Sequence, residues 1–182
     1  MNILRLPLAI LALTACAANA FDGSKKGFVI GFGIGGHATF IQEKTSLFLG
    51  DYRTSGPEGG IATDFLIGYG FTPGFLLMYQ NSNSWYSVNR NIFYDAIGPV
   101  GIRFYTDEDE PGLFFGASAF LGSFVNTTKN AGAIGPGFGA GIGYEFHKHY
   151  SIEARWAHLD AKDGSFTHTS NSLQVLLEAL AF

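Results

Sequence analysis

Cysteine is almost missing from this chain: Cys16 is the single one, and it stands within the first twenty residues. If that stretch is removed, no disulfide supports the mature protein, and stability must come from backbone pairing and from the surroundings. Excess positive charge is missing too. Eleven Lys and Arg stand against fifteen Asp and Glu, without a basic stripe, which argues against nucleic acid as a partner. After residue 20 no stretch approaches the ~18 uninterrupted apolar residues of a spanning helix, so no second hydrophobic helix is expected to hold the chain in an inner membrane. What is abundant is glycine, with 25 copies, and aromatic residues, at 15%. Glycine is costly in helix interiors, so the class expected is all-β.

Residues 1–20 read as an export signal. Arg5 closes a short n-region, residues 6–15 are apolar, and Ala18-Asn19-Ala20 is a small-x-small cleavage site before Phe21. Leu13-Thr14-Ala15-Cys16 also resembles a lipobox, which would leave an acylated Cys16 at the mature end. The organisation expected is a signal peptide over 1–20 and a single domain over 21–182.

Between residues 133 and 147 the chain alternates at every second position. Gly135, Gly137, Gly139, Gly141, Gly143 and Glu145 share one parity; Ile134, Phe138, Ile142, Tyr144 and Phe146 share the other. Successive strand side chains point to opposite sides, so this is a strand with one narrow, partly polar face and one greasy face. The pattern recurs in segments beginning near residues 27, 61, 75, 92, 113, 150 and 172, which makes eight. Because the glycine-bearing faces also carry the charges, the bulky apolar faces are expected to meet lipid. Segment three, from Phe75 to about Val88, is ambiguous by this criterion, with Gln80, Ser82 and Ser84 placed inside. In segment four Asp95, Pro99, Gly101 and Arg103 are placed on the inner face.

Links near Pro73, Asp109 and Lys148 are short, and those around Phe48, Asn89, Lys129 and Phe166 read as longer and polar. An up-and-down barrel puts alternate links on opposite sides of the membrane, so short turns and both termini are expected on the periplasmic side. With these segments and the tail from Asn171 to Phe182, the chain resembles the small eight-stranded outer-membrane barrels of Gram-negative bacteria, of the OmpA transmembrane, OmpX, OmpW and PagL type. The resemblance implies an eight-stranded antiparallel up-and-down transmembrane β-barrel in the cell outer membrane. It also implies contact with lipid and lipopolysaccharide, and a terminal Phe182 read by barrel-assembly machinery. Glu178 and Gln174 share the parity of Phe182, and a charge facing mid-bilayer costs a few kcal/mol, so a bulge near Leu180 is expected to return them to the interior.

The inner faces then collect Asp64, Asp95, Arg103, Glu145, Glu153, Arg155 and Glu178. An eight-stranded barrel is only wide enough for its own side chains, so these are expected to form a polar network that closes the lumen; a narrow pore is the alternative. The PagL-like lipid A deacylases suggest a second alternative, since His168-Thr169-Ser170-Asn171 has matching letters. It is placed in the last loop, however, and Glu178 would lie roughly 25 Å from Ser170 along an extended chain. His158-Leu159-Asp160 lacks a nucleophile. His147 and His149 make an incomplete metal site. No catalytic residue, metal or cofactor is therefore expected. The reading is a monomer with a structural or surface-interaction role, such as adhesion, colonisation or host contact. Its candidate contacts with a host or extracellular ligand are Phe48, Tyr52 and Arg53, in a loop over residues 43–59. A lipid A hydrolase and an OmpW-like solute channel remain the alternatives.

Overall fold

The computed structural model describes residues 25–45, 52–88, 90–107, 111–128, 131–164 and 166–182. The leader over 1–20, with both of its processing readings, lies outside the described residues. The described chain folds into nine strands: β1 (Gly27–Thr45), β2 (Tyr52–Thr72), β3 (Phe75–Val88), β4 (Asn91–Tyr105), β5 (Leu113–Asn126), β6 (Ala131–Gly135), β7 (Gly137–His147), β8 (Tyr150–Asp163) and β9 (Phe166–Ala181). Each pairs antiparallel with its neighbours, and β9 returns to β1 from Ile30↔Ala181 to Thr45↔Phe166, so the sheet closes on itself. Closure leaves no edge strand, which is what a sheet in hydrocarbon requires.

Nine strands make eight wall positions. β6 and β7 hold one continuous register against β5, from Asn126↔Ala131 and Gly122↔Gly135 to Ala119↔Phe138 and Leu113↔Tyr144. The interruption between them is Pro136, which has no amide hydrogen to give to the ladder. Its carbonyl still accepts from the Asp160 amide at 3.0 Å.

The alternation is resolved on every wall strand. Phe32, Phe65, Leu77, Phe115, Ile142, Ile152 and Val175 face outward and are 41–54% exposed, while Asp64, Gln80, Arg103, Glu145 and Glu153 are 1–3% exposed. Segment three thus has Leu77, Tyr79 and Trp85 outside and Ser82 and Ser84 inside. Toward the short turns, the rings of Tyr69, Phe71, Phe75 and Phe104 touch in sequence, with centroids 4.8–6.1 Å apart. Nearer the other end, Trp85 packs on Tyr94 at 4.6 Å and Trp156 on Phe138 at 5.3 Å. These are the two aromatic girdles of a barrel in a bilayer.

Three local expectations change. Pro99 is exposed rather than inward, beside the cis peptide Gly98-Pro99. The links expected to be longer are short, since β3 ends at Val88 and β4 begins at Asn91, and β8 ends at Asp163 and β9 begins at Phe166, with Arg90 at φ 67° and Gly164 at φ 54°. Polar residues there go on pairing above the apolar band, and the left-handed backbone lets the hairpin turn. The same extension consumes most of the first loop, because Glu43↔Arg53 and Lys44↔Tyr52 are paired residues of β1 and β2. Phe48 lies outside the described residues.

The closing strand contains no bulge near Leu180. Its register with β1 and β8 is unbroken, and Gln174, Leu176, Glu178, Leu180 and Phe182 are all buried. The charge is kept from lipid by turning the whole parity inward, terminal Phe182 included. Phe182 stacks on His149 at 5.7 Å and joins an apolar cluster with Val29, Leu66, Leu76, Met78, Tyr105, Phe114 and Leu180.

Candidate functional site

The inward side chains stack in layers along the barrel. At the end nearer the termini the apolar cluster just described fills the cross-section, joined by the Lys25–Glu145 ion pair at 3.6 Å. Lys25 also lies over the Tyr105 ring, 4.2 Å from its centroid. Glu145 is therefore separate from the other charges that the alternation placed inside.

The next layer is charged. Arg103 Nη2 on β4 donates to Glu153 Oε2 on β8 at 2.9 Å, and to both oxygens of Glu178 on β9 at 2.9 and 3.1 Å. Arg155 grips Glu153 with two parallel bonds, Nε to Oε1 at 2.8 Å and Nη2 to Oε2 at 2.9 Å. Its Nη1 lies 2.7 Å from Asp64 Oδ2, which also accepts from Gln80 Nε2 at 2.7 Å. Ser151 Oγ donates to Glu178 Oε2 at 2.9 Å. Five charged residues from four strands are thus cross-braced through the lumen, with the Arg103 guanidinium 4.1 Å from the Phe114 ring centroid. Two-pronged pairing is geometry that guanidinium offers and ammonium does not. The glycines opposite make the room. A Cβ at Gly141 would strike Glu153 Oε1, one at Gly101 the Gln80 amide, and one at Gly143 the Phe114 ring.

Beyond the charges runs a chain of neutral hydrogen bonds with one sense throughout. Arg155 Nη1 donates to Ser82 Oγ at 2.9 Å, and Ser82 to Gln174 Oε1 at 3.1 Å. Gln174 Nε2 donates to Ser84 Oγ at 2.9 Å, and Ser84 to Ser172 Oγ at 3.2 Å. Ser172 meets Thr39 Oγ1 at 2.6 Å, Thr39 meets His37 Nδ1 at 2.8 Å, and His37 Nε2 meets the Trp85 carbonyl at 2.9 Å. That carbonyl can only accept, so His37 carries its proton on Nε2 and Nδ1 takes the Thr39 hydrogen. Every link then has one donor and one acceptor.

The outermost layer is aromatic. Tyr86, Phe93, Phe124 and Phe166 stack in order, with centroids 5.6–5.8 Å apart, and His168 lies flat on Phe124 at 3.9 Å. Asp95 belongs here and not to the charged layer. Its Oδ1 accepts from Tyr86 at 3.3 Å and lies 3.2 Å from His168 Nε2. His168 Nδ1 is 3.6 Å from Glu43 Oε1.

His168 and Ser170 stand within β9 rather than in a loop, and both are buried. Both nitrogens of His168 face carboxylates, whereas a Ser–His nucleophile needs one nitrogen on the hydroxyl. Glu178 is held by Arg103 in the charged layer. His158 meets Asn171 Oδ1 through Nδ1 at 3.0 Å, with Trp156 and Phe138 beside it. Of the surface candidates, Tyr52 and Arg53 lie on β2, and Phe48 is outside the described residues. Sequence reasoning overlooked Lys25 and the His37–Thr39–Ser172 link. The signal for the link was present, because His37 and Thr39 share the parity of Gly33 and Gly35.

Three solved outer-membrane structures resemble the chain at low sequence identity. The attachment invasion locus protein Ail of Yersinia pestis is 13% identical, with a TM-score of 0.49 over 84% of this chain and 99% of that one. Neisserial surface protein A is 15% identical, with a TM-score of 0.49 over 81% and 96%. The outer membrane protein OprG of Pseudomonas aeruginosa is 12% identical, with a TM-score of 0.45 over 88% and 97%. No curated protein sequence matches the chain. The family described as outer membrane protein beta-barrel domain matches residues 8–177. The closed antiparallel wall, the outward apolar band and this match place the protein in the outer membrane, as a member of the outer membrane protein β-barrel domain family.

Proposed function

We propose that this protein is a closed, non-catalytic barrel that acts at the cell surface through contact with an extracellular ligand or matrix, as in adhesion or colonisation. The observation that carries this reading is the filled lumen. Apolar, charged, hydrogen-bonded and aromatic layers succeed one another, and each layer is built from side chains of several wall strands. A solute path would have to part all four. An interior of this kind serves stability, so the function falls to what the barrel displays outside.

The first outer hairpin is the part offered. β1 and β2 stay paired to Lys44↔Tyr52, while β2 meets β3 only from Gly60↔Tyr86 inward. Phe48, Tyr52 and Arg53 are of the aromatic and cationic types that dominate protein contacts. Phe182 would in addition be the end that assembly machinery reads. Deleting residues 46–53 should abolish binding of intact bacteria to cells or matrix, while the barrel keeps its heat-modifiable migration. Binding unchanged by the deletion would sink the assignment.

A further inference from the structure

The lipid-facing wall is not uniformly apolar. On β3 the outward residues run Leu77, Tyr79, Asn81, Asn83 and Trp85, since Gln80, Ser82 and Ser84 between them are buried. Two carboxamides therefore lie between the girdle residues Phe75 and Trp85, at the height of the hydrocarbon. Their neighbours in register continue the patch. Asn83 lies between Thr63 on β2 and Ala96 on β4, and Ala96 is paired with Ser123 on β5. Asn81 faces the stretch of β4 that holds Gly98 and Pro99, where the β3–β4 register passes from Tyr79↔Val100 to Ser82↔Ile97.

The hydrogen bonds found here satisfy only part of this capacity. Trp85 Nε1 donates to Thr63 Oγ1 at 3.1 Å, and Asn83 Nδ2 reaches the Asn81 carbonyl at a long 3.4 Å. A carboxamide offers two donors and an acceptor with two lone pairs, and hydrocarbon supplies no partner for the remainder. The wall formed by β8 and β9 differs, presenting Ile152, Trp156, Leu173, Val175 and Leu177 to lipid.

We propose that the β3–β4 wall around Asn81, Asn83 and Ala96 is the contact surface of a homodimer within the membrane. Lipid tails are as apolar as leucine, so barrels in a bilayer gain little by burying apolar area together; close packing and polar contacts drive association instead. This patch has both. Ala96 and Gly98 let two walls approach closely. The carboxamides are self-complementary, each being donor and acceptor, so a two-fold axis through the patch pairs Asn side chains with their symmetry mates. No charge stands in the patch to repel its copy. This proposal departs from the expectation of a monomer, and the dilution experiment below decides between the two.

The test uses the full-length protein folded in phosphatidylcholine vesicles, labelled for energy transfer and diluted stepwise in lipid. The wild type should show transfer that falls along a monomer–dimer curve. Asn81→Leu with Asn83→Leu should weaken dimerisation roughly tenfold or more, a scale set by several inter-chain hydrogen bonds in a membrane. Leucine suits the lipid face, and heat-modifiable migration checks that the double variant folds. Ala96→Cys should crosslink between copies, and Val175→Cys on the opposite wall should not. A wild type monomeric at every dilution overturns the proposal. So does a dimer that is indifferent to the leucines or crosslinks through Val175→Cys.

Discussion

Arg103 on β4 reaches across the lumen to Glu178 on β9, with Nη2 2.9 Å from one carboxylate oxygen and 3.1 Å from the other. Both side chains are almost wholly buried. The pair ties together strands that lie on different sides of the closed wall and explains why the closing strand turns its one charge inward. Arg103→Met should cost about 3–5 kcal/mol, because it leaves buried carboxylates short of a cation. Arg103→Met with Glu178→Leu should lose less than the sum of the two single changes. Urea titration of the lipid-embedded protein by Trp fluorescence measures each value, and strict additivity would mean that the two residues do not interact.

Adjacent glycines should behave oppositely. A Cβ on Gly35 would run into the Val175 carbonyl and the Leu176 backbone, whereas one on Gly36 meets only the Gly60 carbonyl at 3.8 Å. Gly35→Ala is expected to destabilise the barrel by ~1–3 kcal/mol or more, as overpacking does. Gly36→Ala should fold like the wild type. The proportion of heat-modifiable protein after refolding compares the two directly.

Phe182 fills the inner apolar layer, so Phe182→Ala should leave a cavity and cost about 3–5 kcal/mol in purified lipid, where no assembly machinery is present. A role confined to recognition by that machinery would leave the stability of the refolded barrel unchanged. Urea midpoints of the two proteins separate these outcomes.

His37 should be a neutral imidazole protonated on Nε2, because the Trp85 carbonyl requires a donor there and Thr39 supplies the hydrogen to Nδ1. Nitrogen-15 chemical shifts of the ring read the tautomer. The Nδ1-protonated form would reverse the hydrogen-bond chain and contradict the sense assigned to it.

Much of this architecture was legible because a strand's period of two is visible in residues such as Ile34, Phe65 and Ile142. Lipid outside a narrow barrel also makes the side on which a charge sits unambiguous, which put Asp64, Arg103, Glu153, Arg155 and Glu178 on inner faces. Which of them meet was not legible. Height in the lumen depends on stagger between strands, and stagger separates Asp95 and Glu145 from the central charges by whole layers. Phe182 misled because terminal position suggested lipid contact, whereas its parity with Glu178 fixed it inside. His168 had the same parity as Ser170 and Gln174, but its polar neighbours resembled a loop until the ladder was seen to continue to Phe166. The outward Asn81 and Asn83 broke the apolar pattern in plain view, and that break made segment three hard to assign.

The proposed function stands or falls with a lumen closed by its own side chains. Single-channel recording of the purified protein in a planar lipid bilayer addresses it without further assumption. A lumen filled by its own side chains gives a silent membrane containing demonstrably folded, inserted barrel. Stable, reproducible conductance steps from the wild-type protein would contradict it.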